Sequence, residues 1–397
     1  HNIGDTTTIW MGTTDTPDNE TMGIYSDIPL NRLSVMEETG TVQNFRLQQY
    51  EIPLTVDSLV IGGSNNDVTY DANGLNLTVT GGMINHDEFI SSGNAVNQQT
   101  TTFTSGGGMN ISGSGTTTFY RLVKAGSGTL TLQDQDITVA EDLRILQGTF
   151  ATGDFGVTVR GDVLNDGLHT SSPPNAGNPA DLRGIIMAGS ARQQLERSTS
   201  GISRFGTLTI DNPNGGVLIE DETFYTFQAD QALVLRSGVF DISSNLFIIG
   251  ENATIQNASG ASGRDDFSVN NMVQTNSTFQ DYGLRKVFTG GQTTDFVWPV
   301  GQGAYTPVVL DMTANIATNG PVGHLTIRPS NEPHPTVNDH DNNTGGPRSP
   351  GDIVDRNNAL QYHWIIKSED INSLAAIMEM TYEEQHLAFD GTNSIPA

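Results

Sequence analysis

Leu233-Val-Leu235-Arg-Ser-Gly238-Val-Phe240 decides the fold, because its spacing recurs at Leu143-Arg-Ile145-Leu-Gln-Gly148-Thr-Phe150 and at Leu77-Thr-Val79-Thr-Gly-Gly82-Met-Ile84. Each copy alternates apolar and other side chains with period two, reaches a glycine five positions after its first leucine, and resumes with an apolar residue two positions later. That pattern spells strand, tight turn, strand. Gly82, Gly148 and Gly238 are therefore expected at corners, where positive φ favours a residue without a β-carbon. Leu77, Leu143 and Leu233 are expected to be buried, at equivalent positions of successive units.

Further short strands flank the copies, among them Val157-Thr-Val159-Arg-Gly161 and Leu246-Phe-Ile248-Ile-Gly250. The three leucines are 66 and 90 residues apart, so each interval holds several coils, with loops inserted unequally. A solenoid satisfies this pattern: each strand bonds to its equivalent one coil away, and the apolar side chains stack into one core. The expected fold is all-β, a parallel β-helix followed by a small antiparallel β-sandwich. A pair of β-sandwich domains is the alternative, since sandwiches also use short alternating strands.

Composition agrees with many strands and many corners. Of 397 residues, 35% are hydrophobic and 44 are glycine, while threonine, serine and asparagine are abundant. Such a chain suits long helices poorly. No stretch approaches the roughly 18 consecutive apolar residues of a membrane helix, so no transmembrane segment is expected. Forty-five acidic residues against eighteen basic ones leave a formal charge of −27, which repels phosphate backbones and argues against nucleic acid as a partner. The absence of cysteine excludes disulfides, zinc-thiolate sites and cysteine nucleophiles together.

Taken in order, residues 1–23 contain an acidic turn-forming stretch, Asp15 to Glu20, and are expected to form an N-terminal cap or linker. The β-helix is expected over 24–275, interrupted by a loop from His169 to Arg183 whose prolines fit neither strand nor helix. From 276 to 397 the strands become longer and more aromatic, as at Phe296-Val-Trp298-Pro-Val300 and Tyr362-His-Trp364-Ile-Ile366, which fits a β-sandwich continuing past the segment. The beginning at His1 reads as a piece of something longer or a processed mature form.

The glycine-cornered coils, Phe296-Val-Trp-Pro-Val-Gly301 followed by Tyr305-Thr-Pro-Val308, and His334-Pro with Tyr362-His-Trp-Ile-Ile366 together resemble the long repetitive surface proteins of Bacteroidota. In that family a β-helix precedes a β-sandwich, and the chains leave the cell by type IX secretion and serve as adhesins, including gliding adhesins. The resemblance implies an extracellular or cell-surface location and partners among secretion or surface-anchoring machinery, glycans and surfaces. It also implies O-glycan attachment at Thr6 and Ser58, in Asp5-Thr6-Thr7 and Asp57-Ser58-Leu59. No terminal sorting domain is evident, a departure from the family pattern.

Among chemistry-bearing clusters, Asp339-His-Asp341-Asn-Asn343-Thr-Gly345 sets oxygen ligands at alternate positions, as a loop enclosing a hard cation does. Asp339, Asp341 and Asn343 are candidate Ca²⁺ ligands, although position 350 is Pro350 where a bidentate glutamate would be needed. A plain polar loop is the competing reading. No other cofactor is expected. A carbohydrate-active β-helix would need carboxylates clustered on one face. The nearest pairs are Asp134 with Asp136, Asp221 with Glu222, and Asp265 with Asp266, all of which read as turns. Tyr305, Tyr362, Trp364 and Trp298 suggest a sugar-stacking platform or, as alternating aromatics, core. The resulting expectation is a non-enzymatic structural or adhesive module, with a polysaccharide lyase or glycosidase and a filament- or sheath-forming protein as alternatives.

Overall fold

The computed structural model describes residues 8–11, 19–35, 45–63, 68–91, 98–175, 178, 182–220, 224–276, 281–332 and 360–387. The chain winds as a parallel β-solenoid of about 11 turns and ends in small antiparallel sheets. Three ladders run along it. The first passes through Arg121–Lys124, Leu143–Ile145, Val163–Asn165 and Gln193–Glu196 and reaches Val300–Gly301. The second includes Thr129–Leu132, Thr149–Gly153 and Leu168–Ser171, and the third Thr116–Phe119, Ile137–Val139 and Gly156–Val159. Alternation along each strand points every second side chain inward, and these stack into one cluster extending from Ile24 to Ile327.

Leu77 and Leu143 occupy the same column of the first ladder, connected in register through Thr101 and Leu122, so the 66 residues between them span three coils. Leu233 is equally buried, but it lies on the third ladder between Leu208 and Ile255. The expected equivalence fails there because one strand-turn-strand pattern serves two different corners of the coil. Gly148 follows a first-ladder strand and Gly238 a third-ladder strand, and both have positive φ, 71° and 86°. Gly82 departs from the expectation. It sits within the nine-residue strand Leu77–Asn85, which passes around a corner without a tight turn and contributes to two ladders. Between Val79 and Gly82 lie two residues, where the neighbouring strand has only Asp57 between Val56 and Ser58, so a β-bulge bends the strand. The close approach falls on Gly81, where a β-carbon would lie 2.8 Å from the Asp57 carbonyl oxygen.

The stretch 1–23 contributes strands Thr8–Met11 and Thr21–Ile24, which pair in parallel with Leu30–Val35 and Phe45–Gln49. Its described residues are thus ladder, where a cap or linker is expected. The insertion begins after Ser171, since His169 belongs to the strand Leu168–Ser171. Where it leaves the strand, Ser172 N–H donates to the Gly153 carbonyl and Thr207 Oγ1 to that of Ser172, and Pro174, Asn175 and Asn178 lie beside Thr209 and Val234 of the third ladder.

At the C-terminal end Gly283–Thr289 pairs in parallel with Leu246–Ile249 and antiparallel with Val322–Ser330, which in turn pairs with His363–Glu369. A second antiparallel layer of Phe296–Trp298, Val308–Met312 and Ala376–Met380 packs through Phe296 and Trp298 on Phe288. The strand Gly283–Thr289 belongs to the solenoid and to the antiparallel layers, so neither ladder nor core is interrupted at 275/276.

Candidate functional site

A groove of about 380 Å³ opens at the corner between the second and third ladders and crosses four successive coils. Its walls come from Thr170 and Ser171, from Arg204 and Gly206, from Gln228, Asp230 and Gln231, and from the corner Gly250–Asn252. Leu168 pairs with Arg204, Arg204 with Gln228, and Gln228 with Ile248, so the coil period brings together residues far apart in sequence. Arg204 grips Asp230 with two hydrogen bonds, Nε to Oδ2 at 3.0 Å and Nη2 to Oδ1 at 2.9 Å. Gln228 Nε2 adds a third to the same carboxylate at 2.6 Å.

Two buried polar groups brace this groove from behind. His169 is 0% exposed, its ring between those of Phe150 and Phe205, and burial pushes its pKa down to about 3. Because the Gly206 N–H can only donate, Nδ1 accepts it at 3.3 Å, which leaves the Nε2 proton for Thr152 Oγ1 at 3.2 Å. The ring is thus neutral and tied to the coils on both sides. Lys286, 3% exposed, sends Nζ to the carbonyls of Gly250, Glu251 and Ala253 at 2.7, 2.9 and 2.9 Å. Burial pulls its pKa down to about 8, and the three carbonyls satisfy all the donors of the ammonium. Lys286→Met is expected to cost about 2 kcal/mol by stranding those carbonyls. Amide exchange at Asn252 and Ala253 should rise in the variant, and unchanged protection there would show that the lysine does not hold the corner.

A second arrangement lies on the outside of the first ladder. Leu143, Val163 and Leu195 are in register, so the preceding Asp142, Asp162 and Gln194 stack coil upon coil. Arg144, Leu164 and Glu196 form the adjoining column. Burial raises the Asp162 carboxyl, helped by the charges of Asp142 and Glu220, and burial with the charge of Asp162 raises Glu196. Arg121 and Arg144 approach Asp142 at 3.6 and 3.7 Å.

Asp339, Asp341, Asn343 and Thr6 lie outside the described residues. Among the described residues no group of three His, Asp or Glu side chains converges as a metal site would require. Ser58 is half-buried on Leu54–Ile61, between Arg32 and Gly82. Trp298 and Tyr362 are buried in the C-terminal core, where Tyr362 Oη meets Thr306 Oγ1 at 2.6 Å, and Trp364 Nε1 donates to the Thr306 carbonyl at 3.0 Å, so the aromatics are packing. Asp134 occupies a turn with φ 69°, Asp136 accepts the Gly156 N–H at 2.8 Å, and Asp265 and Asp266 belong to the 3₁₀ turn Arg264–Asp266. Asp221 and Glu222 are outside the described residues.

The sequence reading missed Arg204, Asp230 and Glu251, as well as the stacked Asp142 and Asp162 with Glu196 in the column beside them. Their common signal is recurrence near the coil length, which becomes visible only once the coils are aligned. Set against known proteins, the chain matches no family model, no curated protein and no solved structure.

Proposed function

We propose that this chain is a non-catalytic structural and adhesive module of a long extracellular or cell-surface protein. The observation that carries the proposal is the single core stacked through about 11 coils, which makes an extended rod whose outward positions are free for weak, repeated contacts. The charge of −27 supports it by keeping neighbouring rods apart. Export and anchoring would fall to secretion machinery, glycans and surfaces would be its partners, and Ser58 and Thr6 would carry O-glycans. Display of several copies on one bead should raise affinity for a polysaccharide-coated surface by about 10²-fold or more over a single copy, without release of sugar.

The raised carboxylates Asp162 and Glu196, in adjoining columns on successive coils of the first ladder, favour a second reading as a polysaccharide-active enzyme. New reducing or unsaturated ends released from polysaccharide by the chain, and lost in Asp162→Asn, would overturn the non-catalytic proposal in favour of this one. Surface adhesion with unchanged polysaccharide length would support the first.

A further inference from the structure

We propose that the groove centred on Arg204 and Asp230 binds a short stretch of an uncharged oligosaccharide, an inference that rests on the adhesive reading and names its ligand class. Several features show a built depression. The register between Ile202–Asp211 and Thr226–Ser237 shifts there, with Phe205 opposite Ala229 and Thr207 opposite Ala232, so Asp230 and Gln231 together face the single Gly206. Such a bulge re-aims side chains, and here it turns a carboxylate and an amide into the groove wall. Gly206 keeps the floor low, because a β-carbon there would overlap the Ser171 backbone nitrogen. The corner Gly250–Asn252 is held by Lys286, and Gly206 is tied to His169. A surface corner braced by a buried ammonium loses little further freedom when a ligand arrives.

The lining selects the ligand by elimination. Strands on the groove floor are interior to the ladder, bonded to the coils above and below, so a peptide finds no free edge to extend. Asp230 and Glu251, in a chain of charge −27, oppose an anion. The side chains that face the groove are amides, a hydroxyl-bearing rim and the guanidinium-carboxylate pair, which offer little to an apolar molecule. Sugar hydroxyls both donate and accept, matching a lining that carries amide, guanidinium and hydroxyl donors beside amide, hydroxyl and carboxylate acceptors. Four coils at the usual strand spacing give a floor about 14 Å long, enough for an oligomer lying along the rod axis.

The test titrates the full chain with neutral tetrasaccharides of glucose, xylose, mannose and N-acetylglucosamine, with tetragalacturonate as the anionic comparison. At least one neutral probe should bind saturably and tetragalacturonate should not. Asp230→Ala and Arg204→Gln should each weaken binding by about tenfold or more, while Thr131→Ala, on the outside of a distant coil, leaves it unchanged. Circular dichroism melts of the variants confirm that they fold. Binding of none of the neutral probes, binding of tetragalacturonate alone, or affinity unaltered in both groove variants would overturn the assignment. Surface adhesion that persists in those variants would remove this site and leave the adhesive module standing.

Discussion

Gly238→Val is expected to destabilise the solenoid by about 4 kcal/mol, more than a strained backbone alone would cost. Two penalties act at this corner. Valine is β-branched and resists the φ of 86° that Gly238 adopts. Its β-carbon would also overlap the Asn212 carbonyl oxygen one coil away, and backbone cannot yield as a flexible side chain does. Gly148→Val should behave alike, since a β-carbon there meets the carbonyl oxygens of Gly126 and Ser127 at 2.6 and 2.7 Å. Gly153→Ala isolates the first penalty: φ is 56°, yet nothing lies within 4 Å of the added carbon, so about 1 kcal/mol is expected. Denaturant midpoints of the three variants provide the measurement. Equal losses for Gly153→Ala and Gly238→Val would show that coil stacking contributes nothing and that only φ matters.

Acid should destabilise the middle of the rod through His169. Its folded pKa of about 3 lies below the ordinary 6.5, so below pH 6.5 the unfolded chain takes up a proton that the folded chain refuses. The stability contributed by the neutral ring is therefore complete above pH 6.5 and lost as pH falls toward 3, amounting to about 3 kcal/mol at pH 4. His169→Gln separates this from general titration of carboxylates, because an amide can accept from Gly206 and donate to Thr152 without ever being protonated. Parent stability should fall more steeply than that of the variant between pH 6.5 and 4. Parallel curves would mean that some other group governs acid sensitivity.

Both residues show what a linear reading of this chain can reach. Gly148 and Gly238 were legible as corners because a chain that turns sharply from one strand to the next within a few residues favours positive φ, and the sequence marks that locally. His169 was not legible as core. Its polarity and the prolines that follow it suggest a loop, and only the Gly206 N–H and Thr152 hydroxyl, supplied by neighbouring coils, make its burial tolerable. Lys124 is a parallel case: it is fully buried, with Nζ bonded to the Gly126 carbonyl and, at 3.1 Å, to that of Gln147. Asn245 likewise lies inside, its amide donating to the Ile219 and Glu220 carbonyls of the preceding coil.

By itself, then, the sequence determined the strand-rich class, the winding into parallel coils, the inward position of Leu77, Leu143 and Leu233, and the change to antiparallel strands near the C-terminus. Those follow from period-two alternation and glycine punctuation, which act within a few residues. Tertiary structure decided the rest. Whether a strand turns a corner at a glycine or bends through it, as Leu77–Asn85 does, depends on how many residues the adjacent coil places opposite. Arg204 and Asp230 meet because the intervening residues complete one coil, and so do Asp142 and Asp162. In a solenoid each functional neighbourhood is assembled along the axis, coil upon coil, whereas sequence patterns report along the strand; the coil length that converts one into the other varies with every inserted loop.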